Sequence, residues 1–156
     1  MPIRDTVGRD YTVIGWCYNS KLLADEKALA CLLREVCSVV GMRPLAEMGV
    51  DVEAHLDKLN LQKFEDEGGS SASLILSTSH ASIHGWPWRD QSRSDGALFW
   101  FTIGSCRDFD PSAIDHVLHE RLSVTRSRRT DLVLNLPTDD DRLFTYEIDR
   151  QYELPY

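Results

Sequence analysis

Downstream of the turn Gly68-Gly69-Ser70-Ser71 the chain carries three β-like runs in succession: Ser73 to Thr78 (SLILST), His80 to Trp86 (HASIHGW) and Ala97 to Ile103 (ALFWFTI). Extended runs that follow one another so closely favour antiparallel pairing, because a parallel crossover needs a dozen or more residues. Upstream, Tyr11 to Trp16 (YTVIGW) reads as a first strand. Between about Leu23 and Val40 the positions Leu29, Leu32, Leu33, Val36, Val39 and Val40 keep helical spacing, with Asp25 as a cap and Gly41 after the last periodic residue. Residues 42–60 are ambiguous and read as a loop followed by a weak strand. Asp110 and Pro111 open a second helix, in which Ile114, Val117, Leu118 and Leu122 share a face. Leu132, Leu134 and Leu136 alternate as a final strand ended by Pro137, and Leu143 to Ile148 is a further possible strand. This order predicts an α+β fold. It is a two-layer sandwich, an antiparallel sheet with the helices packed on one face, in two similar βαβ-type halves. No linker divides residues 1–156, so a single domain is expected.

A chain of 156 residues can bury a core of its own. Its 25 acidic residues outnumber its 17 lysines and arginines, for a net charge of −8, which repels a phosphate backbone. The basic cluster Arg126, Arg128, Arg129 and the acidic run Asp139, Asp140, Asp141 read as solvated surface, and no nucleic-acid partner is expected. No apolar run approaches the roughly 20 residues that span a bilayer. The first residues lack an apolar stretch of the secretory type, so the expected compartment is the cytoplasm, with no membrane partner. Cys17, Cys31, Cys37 and Cys106 have neither paired spacing nor a histidine at ligand distance, so no metal is expected. Cys31 and Cys37 fall in the first helical pattern and read as small core residues, and all four are expected as reduced thiols.

The most informative stretch runs from Ser77 to Pro87. By alternation, His80, Ser82, His84 and Trp86 share one face, while Ala81 and Ile83 share the other. On that pattern alone it is a half-buried strand with its polar side in solvent. No nucleophile elbow or phosphate-cradling loop is present, and a serine–histidine pair without an orienting acid is poor evidence for a hydrolase.

The same stretch resembles the processing-site motif of the small prokaryotic S-adenosylmethionine decarboxylases, approximately Glu-Ser-His-x-x-Ile-His-Thr-Trp-Pro-Glu. Ser79, His80, Ile83, His84, Trp86 and Pro87 match in register. Gly8-Arg9, Leu22-Leu23-Ala24-Asp25, Lys63-Phe64-Glu65, Phe101-Thr102-Ile103-Gly104 and Asp110-Pro111 extend the resemblance in the same order, over roughly Gly8 to Pro137.

That resemblance implies a proenzyme that cuts itself between Thr78 and Ser79 into residues 1–78 (β chain) and 79–156 (α chain). Ser79 would become a pyruvoyl group, which forms a Schiff base with the substrate and makes pyridoxal phosphate unnecessary. His84 is implied as the processing base. Ser71 or Ser70 is implied as the assisting serine, although both also read as plain turn residues. Phe64 matches an aromatic position near the adenine site, and reads equally as core. The implied reaction is decarboxylation of S-adenosylmethionine, which supplies the aminopropyl donor for spermidine and other polyamines. A homodimer or higher homo-oligomer is the implied assembly.

Three positions depart from the family pattern. Ile103 stands where the proton-donating cysteine is expected, leaving Cys106 as a substitute donor or an incidental thiol. Trp88 stands where a carboxylate holds the ribose, and the loop is about four residues longer, so Asp90 or Asp95 could supply the acid. Thr78 replaces a glutamate, a milder change because cleavage uses the carbonyl. These departures keep two alternatives open: a pyruvoyl decarboxylase of a basic amino acid such as ornithine or arginine, and a non-catalytic homologue with a regulatory or binding role.

Overall fold

The protein is described by a computed structural model covering residues 6–65 and 67–135. Strand β1 (Thr6–Cys17) leads through a short helix α1 (Ser20–Leu23) into α2 (Glu26–Val39). Then follow β2 (Pro44–Asp51), α3 (Val52–Lys58), β3 (Ser70–Leu76), β4 (Ser79–Trp86), β5 (Ala97–Ser105), α4 (Pro111–Leu122) and β6 (Val124–Asn135). The strands form one six-stranded sheet in the order β2-β3-β4-β5-β1-β6, with every pairing antiparallel. This is the expected α+β architecture.

Alternation decides which face is covered. Ala72, Leu74 and Leu76 of β3, Ala81 and Ile83 of β4, Phe99, Phe101 and Ile103 of β5, and Tyr11 and Val13 of β1 are all buried. They meet Leu29, Leu32, Leu33 and Val36 of α2 and Ile114, Val117, Leu118 and Leu122 of α4 in one hydrophobic cluster. The Asp25 carboxylate caps α2, accepting from the amides of Lys27 at 2.9 Å and Ala28 at 3.2 Å. Gly41, at φ 69°, carries the chain off its far end in a conformation that a side chain would oppose. Asp110 caps α4 in the same way, with Pro111 at its first position.

Several boundaries differ from the sequence reading. Cys31 is exposed, not core; Leu29, Ala30, Leu32 and Leu33 take the inward arc of α2, and the 100° step puts position 31 outside it. Val39, in the last turn, is also exposed. The ambiguous stretch 42–60 is a strand followed by a helix. The final strand begins at Val124, well before Leu132, and contains the arginine cluster, of which Arg129 pairs with Asp115 at 2.7 Å. Leu136, Pro137, the acidic run 139–141 and the possible strand 143–148 lie outside the described residues.

Candidate active site

Ser77 and Thr78 form the tight connection between β3 and β4, and Ser79 opens β4 opposite Leu76 on one side and Ser105 on the other. Ser79 is exposed and sits at φ 152°, a conformation populated almost only by glycine. Its hydroxyl lies 3.0 Å from His80 Nδ1. The His80 ring packs over Gly104 of the neighbouring strand, where a Cβ would stand 3.1 Å from His80 Cε1. The carbonyl of Thr78, one atom from the Ser79 nitrogen, accepts a hydrogen bond of 3.0 Å from the backbone amide of Cys106. The Thr78 hydroxyl oxygen is buried and has no partner among the described residues. Cys106 therefore lies against the Thr78–Ser79 bond, whereas Ile103 is fully buried on the helix-covered face opposite Ala81.

A second group of polar residues gathers at the other end of β4. Ser71 of β3 pairs across the sheet with His84, and its Oγ is 2.5 Å from His84 Nδ1. Trp86 meets the imidazole edge-on, with ring centroids 4.2 Å apart. Burial holds the His84 pKa below the ordinary histidine value, a shift opposed by a backbone hydrogen bond at Gly68. The imidazole is therefore kept in its neutral, proton-accepting form near pH 7. Ser70 turns the opposite way: it is buried against the helix layer, where its hydroxyl donates to the Ala24 carbonyl at 3.2 Å. Gly69, at φ 77°, lets the turn before β3 approach the Gly85 carbonyl so closely that a Cβ would stand 1.9 Å from its oxygen.

These two groups are not together. Ser79 and His84 are five residues apart on one strand, about 17 Å at the usual rise. The structure pairs Ser71 with His84 and sets the Cys106 amide on the Thr78 carbonyl beside Ser79, but His84 does not reach Ser79 within one chain. Between the two ends the uncovered face carries a row of hydroxyls that sequence reading did not single out. Ser73, Ser82, Thr102, Thr12 and Thr130 are successive partners across five strands. The signal was present for Ser73, Ser82, Thr102 and Thr12, each at an outward position of its run, but the strand order that aligns them was not, and Thr130 lay outside the runs read from the sequence. The hydroxyls from Ser73 to Thr102 and the Ser71–His84 pair line a cleft of about 340 Å³.

Beside His84, a second cleft of about 350 Å³ is bounded by Gly69, Trp86 and Trp88 and by the carboxylates of Asp51, Glu53 and Glu67. Glu67 accepts from the Phe64 amide at 2.8 Å, and Lys63 pairs with Glu53. Phe64 itself is 66% exposed, which removes the core reading and leaves its ring free at the surface. Asp90 bonds the amide and hydroxyl of Ser92 within its own loop. Asp95 takes a two-pronged contact from Arg93 at 2.7 Å and a hydrogen bond from Thr125 at 2.6 Å. The carboxylates lining the cleft come from the end of β2, from α3 and from the loop before β3, whose positions sequence spacing alone does not fix.

Comparison with known proteins finds that the S-adenosylmethionine decarboxylase family model matches residues 11–133. No curated protein sequence matches the chain. Among solved structures, the adenosylmethionine decarboxylase of Aquifex aeolicus VF5 superposes with a TM-score of 0.60, at 15% identity, over 87% of this chain and 97% of that one. At that identity the likeness is one of fold.

Proposed function

Because the chain belongs to the S-adenosylmethionine decarboxylase family, a family of carboxy-lyases, we propose that it matures by cutting its own backbone between Thr78 and Ser79, and that position 79 then carries the pyruvoyl group with which it decarboxylates S-adenosylmethionine. The observation that carries this reading is the placement of Ser79. It stands at an exposed hairpin tip, in a backbone conformation foreign to a serine, with the preceding carbonyl already hydrogen-bonded. A break at this tip removes a turn and leaves both flanking strands paired to their neighbours. The residues present thus fit a prosthetic group made in place.

In the first step the Ser79 hydroxyl attacks the Thr78 carbonyl carbon, the C–N bond breaks, and the nitrogen takes up a proton to leave an ester. Removal of the Ser79 α-proton then expels the Thr78 carboxylate, and the resulting alkene hydrolyses with loss of ammonia. His84 suits the role of base because burial keeps it unprotonated, and Ser71 holds its ring. Ser70 is engaged elsewhere and does not share that role. The pyruvoyl group supplies an electron sink when carbon dioxide leaves. Cys106, an exposed thiol whose backbone bonds the Thr78 carbonyl, is a candidate to return the final proton. The Trp86–Trp88 cleft, with its carboxylates and the neighbouring Phe64, offers aromatic and anionic contacts for a cationic nucleoside substrate. Asp90 serves its own loop in this state.

The 17 Å between His84 and Ser79 supports an assembly in which the Ser71–His84 pair of one copy serves Ser79 of another. The uncovered sheet face suits such a partner: Met48, Ile75, Trp100, Ile14 and Leu132 project from it and are exposed. A homodimer closed through this face completes the site. Among the described residues no helix is long and apolar enough to cross a membrane.

Intact mass tests the reading directly. The purified protein should give two chains of 78 residues, the second beginning with a blocked, hydrazine-reactive carbonyl, and should release carbon dioxide from S-adenosylmethionine but not from ornithine or arginine. A single uncut chain without such a carbonyl would overturn it.

A further inference from the structure

The contact between Cys106 and Thr78 carries more than the placement of a thiol. The acyl shift turns the planar Thr78 carbonyl into a tetrahedral centre whose oxygen bears a full negative charge until the C–N bond breaks. A donor already aimed at that oxygen stabilises the charged centre more than the starting amide, and so speeds the step. In the uncut chain the Cys106 amide already donates to that oxygen at 3.0 Å, so it is aimed where the charge develops.

Its aim is fixed by the loop that bears it. The buried Ser105 hydroxyl accepts from the Arg107 amide at 3.0 Å, closing the backbone around position 106. The Arg107 side chain reaches the Gly41 carbonyl at 3.3 Å. On the other flank Arg9 bonds Asp108 at 3.1 Å and the Phe109 carbonyl at 2.9 Å, while Asp131 holds the rest of its guanidinium at 2.7 Å. Gly8 lies so close to the Ser105 carbonyl that a Cβ there would meet it at 2.1 Å. The loop is thus tied to the end of α2, to β1 and to β6, and it pays no reorganisation when charge appears.

We infer that the backbone amide of Cys106 is the oxyanion donor of the self-cleavage step, held in place by the Arg9 and Ser105 contacts, so that this loop does its first work through its main chain before its thiol is used in turnover. The inference rests on the reading that the chain cleaves at Thr78–Ser79, and adds to it the group that stabilises the transition state. In the step itself the Ser79 Oγ–C bond forms, the hydroxyl proton passes to the base, and the Cys106 N–H holds the oxygen. The charge then collapses as the C–N bond breaks and the leaving nitrogen is protonated. No oxidant or further reactant enters.

The full chain assembled by ligation, once with cysteine at 106 and once with its ester analogue, 2-hydroxy-3-mercaptopropanoate, isolates the N–H while keeping the thiol. Cleavage after refolding, followed by intact mass, should slow about 100-fold in the ester chain. Equal rates in the two chains would overturn the inference and leave the self-cleavage reading intact. Absence of cleavage in the cysteine chain would instead sink the self-cleavage reading. A second measurement does not depend on the ester chain folding. In uncleaved Ser79→Ala, NMR should show a scalar coupling across the hydrogen bond from the Cys106 nitrogen to the Thr78 carbonyl carbon, with a slowly exchanging Cys106 amide. A missing coupling with a fast-exchanging amide counts against the proposal.

Discussion

A side chain forced into a glycine-like backbone conformation costs of order 1–3 kcal/mol, and Ser79 at φ 152° is such a position. Two variants that both lack the nucleophile separate that cost from the chemistry: Ser79→Gly relieves the conflict, while Ser79→Ala keeps it. Both chains should stay uncut, and Ser79→Gly should be the more stable by about 1–3 kcal/mol, read as a higher denaturant midpoint. Equal midpoints would mean that the backbone there is relaxed. His84 makes a separate statement about pH. Burial depresses its pKa below the ordinary 6.5, so the folded chain binds fewer protons at this site than the unfolded chain. Its contribution to stability is therefore complete above pH 6.5 and is lost as pH falls through the depressed folded value. A melting series from pH 8 to pH 5 should show a decline below pH 6.5 that His84→Gln flattens, and the His84 ring signals should titrate below those of a histidine peptide. Both residues stood out in the sequence because their chemistry is local to a motif. The amide at Cys106 did not, since every residue but proline carries one and only the fold shows where it points.

Among the elements, those with a covered face were legible. Strands β3, β4 and β5 alternate over most of their length because one side meets the helices, and α2 shows its stripe between a capping aspartate and a terminal glycine. Removing the cap with Asp25→Ala should cost about 1 kcal/mol, read by urea denaturation, and a change within error would mean that Glu26 or solvent fills the vacancy. The two edge strands were harder to read for one physical reason. β2 is exposed along nearly all its length and contains Pro44 and Gly49, while β6 carries three arginines and is exposed at most positions. Edge strands facing solvent on two sides need no hydrophobic alternation and often carry charge that discourages pairing with other chains. The pattern that sequence reading depends on is therefore absent there. Helix α3 was missed because none of its residues is buried. The Glu53 carboxylate it brings to the Trp86–Trp88 cleft was missed with it.

For the molecule as a whole, the separation of Ser79 from His84 makes a genetic prediction. Chains carrying Ser79→Ala and chains carrying His84→Ala should each fail to mature alone, yet when co-expressed the His84→Ala chain should be cut, because its intact Ser79 can meet an intact His84 on its partner. Trp100→Glu, which puts a charge in the middle of the uncovered face, should lower the mass seen by light scattering to that of one protomer. Complementation without a change in mass, or the reverse, would break the link between the two. The strand order also governs what happens after the cut. The proposed cut would leave β1, β2 and β3 in one product and β4, β5 and β6 in the other, with β1 clamped between β5 and β6, two strands of the other product. Halves so laced together would part only by unzipping the sheet. Once they have parted, each must find a separate molecule rather than its own tail. Uncut Ser79→Ala can recover from denaturant at a rate set within one chain, whereas the mature enzyme should recover more slowly the more it is diluted, so maturation is a passage taken once.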